Sequence, residues 1–410
     1  MTSLSPARRN AALFTLALGG FAIGVTEFAS MGVLPDIAED LLPDFAEHPA
    51  REISRAGLLI TLYALGVVVG APVITALAAR ASQTKLALWL LGVFVAGSVA
   101  SALAPSFELL AAARFFSGLP HATFFGAAAL LAGRLMGPGK QGRGIAIAMS
   151  GLPIANIVGV PLATFIGQSI GWRWAYGLVA ALFALTLLLA LRLLPRVPGD
   201  AALNPRGSLS GFSNVRVWLM IGVAAVGFGG FFAVYSYIAE VVTRVAELPA
   251  GAVPWTLAAI GTGMTIGTFV GGWGADRNAP RTMVASFIAL ILTLALYLAV
   301  ASSPVGLFVS VLLVGFWFSA MNPPIQARFI RIAREAELMG AAVSHAAFNI
   351  GNALGAFAGG LVIAAGFGYL APGAVAILLT AGGLAFTLAS LALSRRDRRR
   401  GVDTTGIRVP

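Results

Sequence analysis

Twelve stretches of about 20 predominantly apolar residues run through this 410-residue chain, and they restrict its fold more than any other feature. A helix of that length crosses about 30 Å of hydrocarbon. The chain is 58% hydrophobic and 10% charged, whereas soluble domains are about 45–50% apolar and about 25% charged. A soluble globular fold is excluded, and an all-α polytopic membrane protein is predicted. The windows are residues 11–34, 55–79, 85–104, 108–133, 143–169, 173–194, 215–240, 252–275, 281–302, 304–327, 338–365 and 368–393.

A polar segment separates the sixth window from the seventh. Residues 195–214 are rich in Pro, Gly, Ser and Arg, a composition typical of a linker. We therefore expect an N-terminal six-helix bundle over 1–194, a cytoplasmic linker over 195–214 and a C-terminal six-helix bundle over 215–394. Residues 395–410 form a basic tail.

The basic residues predict the orientation, because Lys and Arg are retained on the cytoplasmic side of a membrane. With the N-terminus inside, 22 of the 27 Lys and Arg residues fall in cytoplasmic loops and tails. We expect a multi-pass protein of a bacterial inner membrane with both termini in the cytoplasm. The net charge of +11 lies in loops, which indicates a topology signal and contact with membrane lipid rather than nucleic-acid binding.

The two halves repeat each other weakly at a nearly constant offset of 196 to 201 residues. Glycines at helical spacing and a mid-span asparagine recur in the same order. Such a repeat predicts two bundles related by a pseudo-two-fold axis along the membrane normal, with a cavity between them. The clearest matches are Gly66 with Gly263, Gly70 with Gly267 and Asn156 with Asn352.

Two opposite charges lie inside the predicted spans, where ionisable groups are costly and mark functional sites. Glu27 and Arg114 are each about 10 Å below the outer surface, at 1.5 Å per residue. Their common depth predicts mutual stabilisation, directly or through a shared water-filled cavity. An ion pair that only fixes helix packing is the alternative, although such pairs often add little stability. We interpret Glu27 and Arg114 as a proton-coupling pair whose carboxyl group gains and loses a proton.

Other polar residues of the spans are candidates for substrate binding. His121 lies two helical turns beyond Arg114 on the same face and binds substrate, relays protons, or is a neutral histidine between helices. His345 is interpreted as structural. Asparagines in spans also link neighbouring helices. The remaining candidates that could line a cavity are Tyr63, Asn156, Asn322, Asn349 and Asn352.

Several classes of chemistry lack the residues they require. The chain has no cysteine, and its three histidines lie far apart without metal-ligand spacing. No nucleophile constellation or phosphate-binding loop is present in the sequence. We therefore expect no metal, no cofactor, no enzymatic activity and no direct use of ATP.

Three sequence stretches resemble the major facilitator superfamily, in its drug:proton antiporter branch with sugar-efflux and arabinose-efflux-permease-like proteins. They are GFAIGVTEFASMGVLPDIAEDL (20–41), ARFFSGLPHATFFG (113–126) and GLPIANIVGVPLATFIGQSIGWRWAY (151–176). The resemblance implies that Arg114 takes part in proton coupling. It also implies a bent fifth helix at Gly159 and Pro161, and proline does kink helices.

One family motif is only half preserved. The loop between the second and third helices, around Arg80, lacks the usual acidic gating residue, whereas Asp276 and Arg277 keep it after the eighth helix. A cytoplasmic latch should depend more on this second copy.

The resemblance as a whole implies a monomeric proton-coupled antiporter that exports a small sugar, nucleoside or drug-like solute by alternating access. The alternatives are a proton symporter or facilitator that imports its solute, and a non-transporting receptor with a transporter-like fold.

Overall fold

The computed structural model describes residues 5–78, 81–137, 140–195, 197, 215–332 and 337–399, and every regular element in these ranges is helical. We number the membrane helices α1 to α12. Most of the predicted linker and the end of the basic tail lie outside the described residues. In the N-terminal half, α1 is Pro6–Gly32, α2 Leu58–Ala78, α3 Gln83–Ala102, α4 Phe107–Gly118 with His121–Met136, α5 Gln141–Met149, Gly151–Ile154, the π-helix Ala155–Gly159 and Val160–Ile170, and α6 Trp172–Leu193.

The N-terminal half also contains two shorter helices between α1 and α2. They are Leu34–Leu41 and Pro49–Ala56, and they flank the 3-10 turn Pro43–Phe45.

The C-terminal half follows the same plan. The remaining helices are α7, Val215–Gly227, Gly229–Tyr235, Ile238–Glu240 and the π-helix Val241–Val245; the turn Ala250–Ala252; α8 and α9 within Val253–Val300; α10, Pro304–Ala320 with Asn322–Ile332; α11, Glu337–Ala364; and α12, Ala371–Arg399.

The prediction of twelve membrane crossings is confirmed. Eleven helical stretches of the described residues are long and apolar enough to span a membrane. One of them, Ala250–Val300, is 51 residues long and holds two helices. They are separated at Asn278, whose backbone is non-helical at φ −158° and ψ 82°. The Asn278 side chain accepts a hydrogen bond from the Arg281 backbone N–H at 3.1 Å, the geometry that begins a new helix, here α9.

Equivalent glycine contacts show that the two halves are copies of one packing unit. A Cβ atom at Gly66 in α2 would collide with the carbonyl oxygen of Phe115 in α4. A Cβ atom at Gly263 in α8 would collide with the carbonyl oxygen of Leu312 in α10. Both members of this second contact lie 197 positions after those of the first. Small residues at such positions let helix backbones approach closely. The same offset relates Gly70 against Leu119 to Gly267 against Phe316, and Gly118 against Tyr63 to Gly315 against Ile260.

The two bundles are packed together at the predicted outer end. The largest apolar core draws its members from both halves. Phe28 of α1 stacks on Phe232 of α7 with ring centroids 6.3 Å apart, and it also meets Tyr235 at 5.6 Å. Close by, Gly57 and Gly360 leave room for the hydroxyl end of Tyr237. This end of the seam between the bundles is therefore closed.

Toward the predicted cytoplasmic end the apolar packing is separate. The second apolar core runs through α1, α3, α4, α5 and α6, and all its buried members come from the N-terminal half. In the described part of the chain, the bundles thus share a core at one end and keep a separate N-terminal core toward the other. The seam between the bundles is therefore packed more tightly at the predicted outer end than at the other.

Substitutions at two classes of glycine test the repeat contact. Gly66→Ala and Gly263→Ala should each lower the stability of the folded protein by about 1–3 kcal/mol, because the added methyl group meets a backbone carbonyl that cannot move freely. Thermal unfolding of purified protein in detergent measures the effect. Gly92→Ala and Gly126→Ala are matched controls with open space around the added atom, and alanine is the better helix former by about 1 kcal/mol. Equal unfolding midpoints for all four variants would contradict the packing described.

Candidate functional site

Arg114 is fully buried in the first segment of α4, and its partners are all neutral. Its Nη1 donates to the Thr26 hydroxyl at 3.1 Å, and its Nη2 donates to the Thr26 carbonyl oxygen at 2.9 Å. The guanidinium lies over the Tyr63 ring, 4.3 Å from the centroid, and 5.5 Å from that of Tyr176. Cation–π contacts of this kind gain strength where water is excluded. Arg114 is thus held in place without a carboxylate.

Glu27 follows Thr26 on α1 and is 2% exposed. Its Oε1 accepts a hydrogen bond from Asn352 Nδ2 of α11 at 3.2 Å. Glu27 and Arg114 are not among the ion pairs of the described residues. No guanidinium nitrogen of Arg114 therefore lies within 4.0 Å of a carboxyl oxygen of Glu27. Of the two arrangements expected from the sequence, the direct ion pair is therefore not formed. Glu27 instead joins the N-terminal bundle to the C-terminal one.

Tyr63 and His121 extend the network toward the predicted cytoplasmic side. The Tyr63 hydroxyl is 3.0 Å from Nδ1 of His121. Both side chains are about 1% exposed. A continuous polar path therefore runs from Thr26 through Arg114 and the Tyr63 ring to His121. These groups occupy one side of the seam, since α1, α2 and α4 all belong to the N-terminal bundle.

The four asparagine candidates divide into three groups. Asn352 belongs to the network through Glu27. Asn156 and Asn349 are buried, donate to backbone carbonyls of their own helices at 3.2 and 3.1 Å, and keep one amide oxygen without a partner. Asn322 is half-buried and accepts a hydrogen bond from Gln326 at 3.1 Å. The structure thus brings Asn352 into direct contact with a charged candidate, whereas the other three bond within their own helices.

The predicted bend in α5 takes the form of a π-helical turn. Residues Ala155–Gly159 are π-helical, and Pro161 stands at the start of the following α-helical segment. Gly159 lies against Val25 and Phe21 of α1, where a side chain would collide. π-helical turns interrupt the regular hydrogen-bond ladder and recur at functional sites.

The predicted latch residues are exposed. Asp276 makes no ion pair among the described residues, and Arg277 folds back over the Trp273 ring at 3.5 Å from its centroid. Arg277 also donates to the Trp273 carbonyl oxygen at 3.4 Å. Arg80 lies outside the described residues. The latch contact is thus not made at Asp276 in this conformation.

The sequence analysis did not name two residues of the site, and it gave a third no place at the seam. Thr26 anchors Arg114, and its position next to Glu27 was the available signal. Tyr235 of α7 is buried with its hydroxyl unpaired and packs on Phe28, one residue after Glu27. His345, interpreted from sequence as structural, faces His121 across the seam with ring centroids 6.3 Å apart.

An acidic pocket of about 520 Å³ opens at the predicted outer end. Asp40 accepts hydrogen bonds there from the Trp172 indole N–H, at 3.0 Å, and from the Arg173 guanidinium. The hydrogen bond from Arg173 lowers the pKa of Asp40 below its ordinary value. Burial raises the pKa of Asp36 to about 6, aided by the nearby charge of Glu39. The first outer loop is therefore an acid-rich surface in which one carboxyl group titrates close to neutrality.

Twelve helices in two equivalent bundles, with a buried polar network at the seam between them, define a membrane transporter that works on a small molecule. A family model described as Major Facilitator Superfamily matches residues 16–340. The chain belongs to that superfamily.

The relatives and solved structures agree with this assignment. The chain is 35% identical over 360 residues to the inner membrane transport protein YdhP of Escherichia coli (strain K12), covering 88% of this chain and 90% of the relative. It is 28% identical over 364 residues to the "Probable sugar efflux transporter" of Helicobacter acinonychis (strain Sheeba), covering 87% and 90%. A D-xylose-proton symporter has the same fold, with a TM-score of 0.75 at 13% identity over 92% of this chain and 97% of that one.

The titration of Asp36 predicts a pH-dependent stability. Because the pKa of Asp36 in the folded protein is about 6, above the ordinary value of about 4, its charged form destabilises the fold at neutral pH. That destabilisation is relieved as the pH falls through about 6. Asp36→Asn should therefore raise the thermal unfolding midpoint at about pH 7.5. The gain should vanish near pH 4, where the aspartic acid of the wild type is neutral like the asparagine of the variant.

Asp44→Asn in the same loop is the control, because Asp44 is exposed and its substitution removes an equal charge. A gain for Asp36→Asn that is constant across this pH range would show that Asp36 does not titrate as described.

Proposed function

We propose that this transporter is a proton-coupled antiporter that exports a small organic solute by alternating access across a bacterial inner membrane. The observation that carries the proposal is the hydrogen bond from Asn352 to the buried carboxyl group of Glu27. Glu27 is a titratable group whose described hydrogen-bond partner lies on the opposite bundle. Its protonation state is therefore linked to contact between the bundles.

Protonation of Glu27 strengthens this contact. Asn352 Nδ2 donates to the Glu27 carboxyl group, and Asn352 Oδ1 is buried without a partner. A carboxylate only accepts hydrogen bonds, whereas a carboxylic acid also donates one. A protonated Glu27 can thus donate to Oδ1 while it accepts from Nδ2. Two hydrogen bonds in place of one favour the state in which the outer end is closed.

Deprotonation weakens the contact, and Arg114 provides the reason. An unprotonated carboxylate inside the membrane is costly unless a cation compensates it. Arg114 lies on the same bundle, and its Nε has no hydrogen-bond partner among the described residues. The carboxylate of Glu27 is therefore drawn toward Arg114 and away from Asn352. Loss of the proton releases the seam at the outer end.

These two states couple protons to solute. A proton that enters from outside binds Glu27 and closes the outer end, and it leaves to the cytoplasm once the site opens inward. Solute then binds next to Arg114, Tyr63 and His121 and is carried outward while Glu27 is charged. The π-helical turn before Pro161 supplies a hinge in α5, and Asp276 and Arg277 supply a latch that engages when the cytoplasmic side closes.

The class of solute follows from the polar groups at the seam. Hydroxyl, imidazole and amide groups recognise a neutral or weakly polar organic molecule, such as a sugar, a nucleoside or a drug-like compound. The relative named as a sugar efflux transporter supports the sugar among these. Import by proton symport is the second candidate, and the direction of solute movement distinguishes the two.

Glu27→Gln should abolish uphill transport, because glutamine cannot exchange a proton. The experiment uses purified protein in proteoliposomes with an imposed pH gradient and a panel of radiolabelled sugars, nucleosides and cationic dyes. Antiport predicts solute movement opposite to the proton gradient for the wild type. For Glu27→Gln it predicts solute exchange without accumulation. Accumulation in the same direction as protons would establish symport instead.

Matched variants separate coupling from folding. Glu47→Gln removes an exposed outer-loop carboxyl group and should keep full accumulation. Arg114→Lys keeps the charge but loses the two-pronged bonding to Thr26, and we expect roughly tenfold slower uphill transport or worse. Gradient-driven flux at the wild-type rate in Glu27→Gln would refute the role of Glu27. The same rate in Arg114→Lys would refute the role of Arg114.

The orientation is tested with single cysteines, for which the cysteine-free chain gives no background. In right-side-out membrane vesicles, Glu47→Cys should react with a membrane-impermeant maleimide. Arg134→Cys, at the far end of α4, should react only after the membrane is permeabilised. Both side chains are exposed, so accessibility through the protein does not limit the reaction. The reverse labelling pattern would overturn the assignment of both termini to the cytoplasm.

A further inference from the structure

A short helix of the N-terminal half lies over the seam at the predicted outer end. It is Pro49–Ala56, which Gly57 joins to α2. We call residues 49–57 the outer lid. Ile53 and Ala56 of the lid are fully buried and belong to the apolar core that both bundles share. The lid is therefore part of the closure at this end.

The lid is attached to its own bundle through Arg55. The Arg55 guanidinium donates to the Glu108 carboxylate at 3.2 Å, and it lies 5.2 Å from the centroid of the Phe107 ring. Glu108 and Phe107 begin α4, and the lid itself runs directly into α2. Because both α2 and α4 belong to the N-terminal bundle, the lid moves together with that bundle.

The other face of the lid meets Tyr237 of the C-terminal bundle. The Tyr237 hydroxyl is buried and donates to the Ala356 carbonyl oxygen of α11 at 2.7 Å. A Cβ atom at Gly57 would collide with this hydroxyl. A Cβ atom at Gly360 on α11 would lie 2.9 Å from the Ser54 hydroxyl of the lid. The lid thus lies directly against the C-terminal bundle, with no space for a side chain at either glycine.

The described residues of the C-terminal half hold no equivalent of the lid. The 197-residue offset of the glycine contacts places residues 246–253 opposite Pro49–Ala56. There the chain forms the short turn Ala250–Ala252 before α8 begins. The contact between the lid and Tyr237 is therefore made once, by a lid on one bundle and a fixed hydroxyl on the other.

We propose that Gly57 and Tyr237 form the outer gating contact of this transporter: the lid rests on the Tyr237 hydroxyl when the outer end is closed and lifts from it when that end opens. The inference rests on the alternating access of the proposed function, because contacts across the outer seam must part for solute to pass. It does not depend on proton coupling or on the direction of transport. Tyr237 is a positioning residue in this role, since it sets how closely the bundles approach.

This contact is sensitive to the size of the residue at position 57, because neither side gives way easily. The lid is fixed to α4 through Arg55, and the hydrogen bond to Ala356 anchors the Tyr237 ring. Close-packed interiors lose stability when even one methyl group is added. The loss falls on the closed state alone, since the contact is absent once the lid has lifted. A methyl group at position 57 therefore shifts the population toward the conformation that is open to the outside.

The test measures the separation of the bundles at the predicted outer end. Spin labels are attached to Leu103→Cys, after α3, and to Ser302→Cys, before α10, which are exposed positions on opposite bundles. The chain contributes no cysteine of its own. Gly57→Ala should raise the ratio of long to short distances about tenfold, which is within the range expected for one added methyl group in a packed interior.

Two other glycines separate gating from folding. Gly66→Ala crowds the contact between α2 and α4 inside the N-terminal bundle, so it should lower the unfolding midpoint and leave the outer distances unchanged. Gly92→Ala has open space around the added atom and should also leave these distances unchanged. Gel filtration shows whether each variant is folded. If Gly57→Ala is not, Gly360→Ala crowds the same contact from the side of α11 and should give the same shift.

A second substitution at Tyr237 tests whether the shift arises at this contact. Tyr237→Phe removes the hydroxyl that the new methyl group meets, together with the hydrogen bond that anchors the ring. In the Gly57→Ala protein it should return most molecules to the short distances. A shift that persists in this double variant would overturn the proposal.

Wild-type distances in Gly57→Ala would also overturn the proposal, and so would an equal shift in Gly66→Ala, which would indicate a general loosening of the protein. These outcomes are separate from the antiport test. Solute movement in the same direction as protons in wild-type proteoliposomes would refute antiport and leave the outer gating contact standing. Unchanged distances in Gly57→Ala would refute the contact whichever way the solute moves.

Discussion

The structure depends on how one permanent positive charge is kept inside the membrane. Arg114 cannot lose its proton, and at 0% exposure it has no access to water. The chain satisfies it with a hydroxyl, a backbone carbonyl and two aromatic faces. Because none of these partners is a carboxylate, Glu27 is not committed to neutralising Arg114. A nearby acid that is free to take up a proton is what proton coupling requires.

Most of the buried polar network, including Arg114, lies in one bundle although the fold is duplicated. The 197-residue offset that relates the glycine contacts places Ile260, Val311 and Phe318 at the positions equivalent to Tyr63, Arg114 and His121. Phe318 stacks on Phe231 at 3.8 Å and meets Phe228 at 5.3 Å. The C-terminal counterpart of the polar network is therefore an aromatic core. Duplication preserved the backbone approach of the helices, which needs only glycine, while the side chains between them diverged.

The difference between the duplicated backbone packing and the diverged side chains explains what could be predicted from the sequence. The membrane spans were predictable because hydrocarbon thickness alone fixes their length and polarity. Gly66 and Gly263 were predictable as a repeat because close backbone packing tolerates no larger residue. The common depth of Glu27 and Arg114 followed from counting residues along helices. Their lack of a direct bond did not, because it depends on the position of Thr26 relative to the guanidinium.

Contacts across the seam were beyond the reach of the sequence for a similar reason. The partner of Glu27 lies 325 positions away, and no periodicity connects the two. His345 was interpreted as structural because its own helix gives no sign of His121 on the opposite bundle. The bend in α5 was expected from Pro161, but its π-helical form was not, since that form is set by the fit of Gly159 against α1.

The position of Asn352 also gives a reason why an amide, rather than a second charged group, meets Glu27. A lysine or arginine at this site would hold Glu27 ionised and would join the bundles permanently. An apolar residue would leave the carboxyl group without any partner across the seam. An amide offers one donor and one acceptor side by side, so it bonds to the acid and to the carboxylate with different strength. In the proposed mechanism, that difference in strength is the free energy by which a proton biases one conformation over the other.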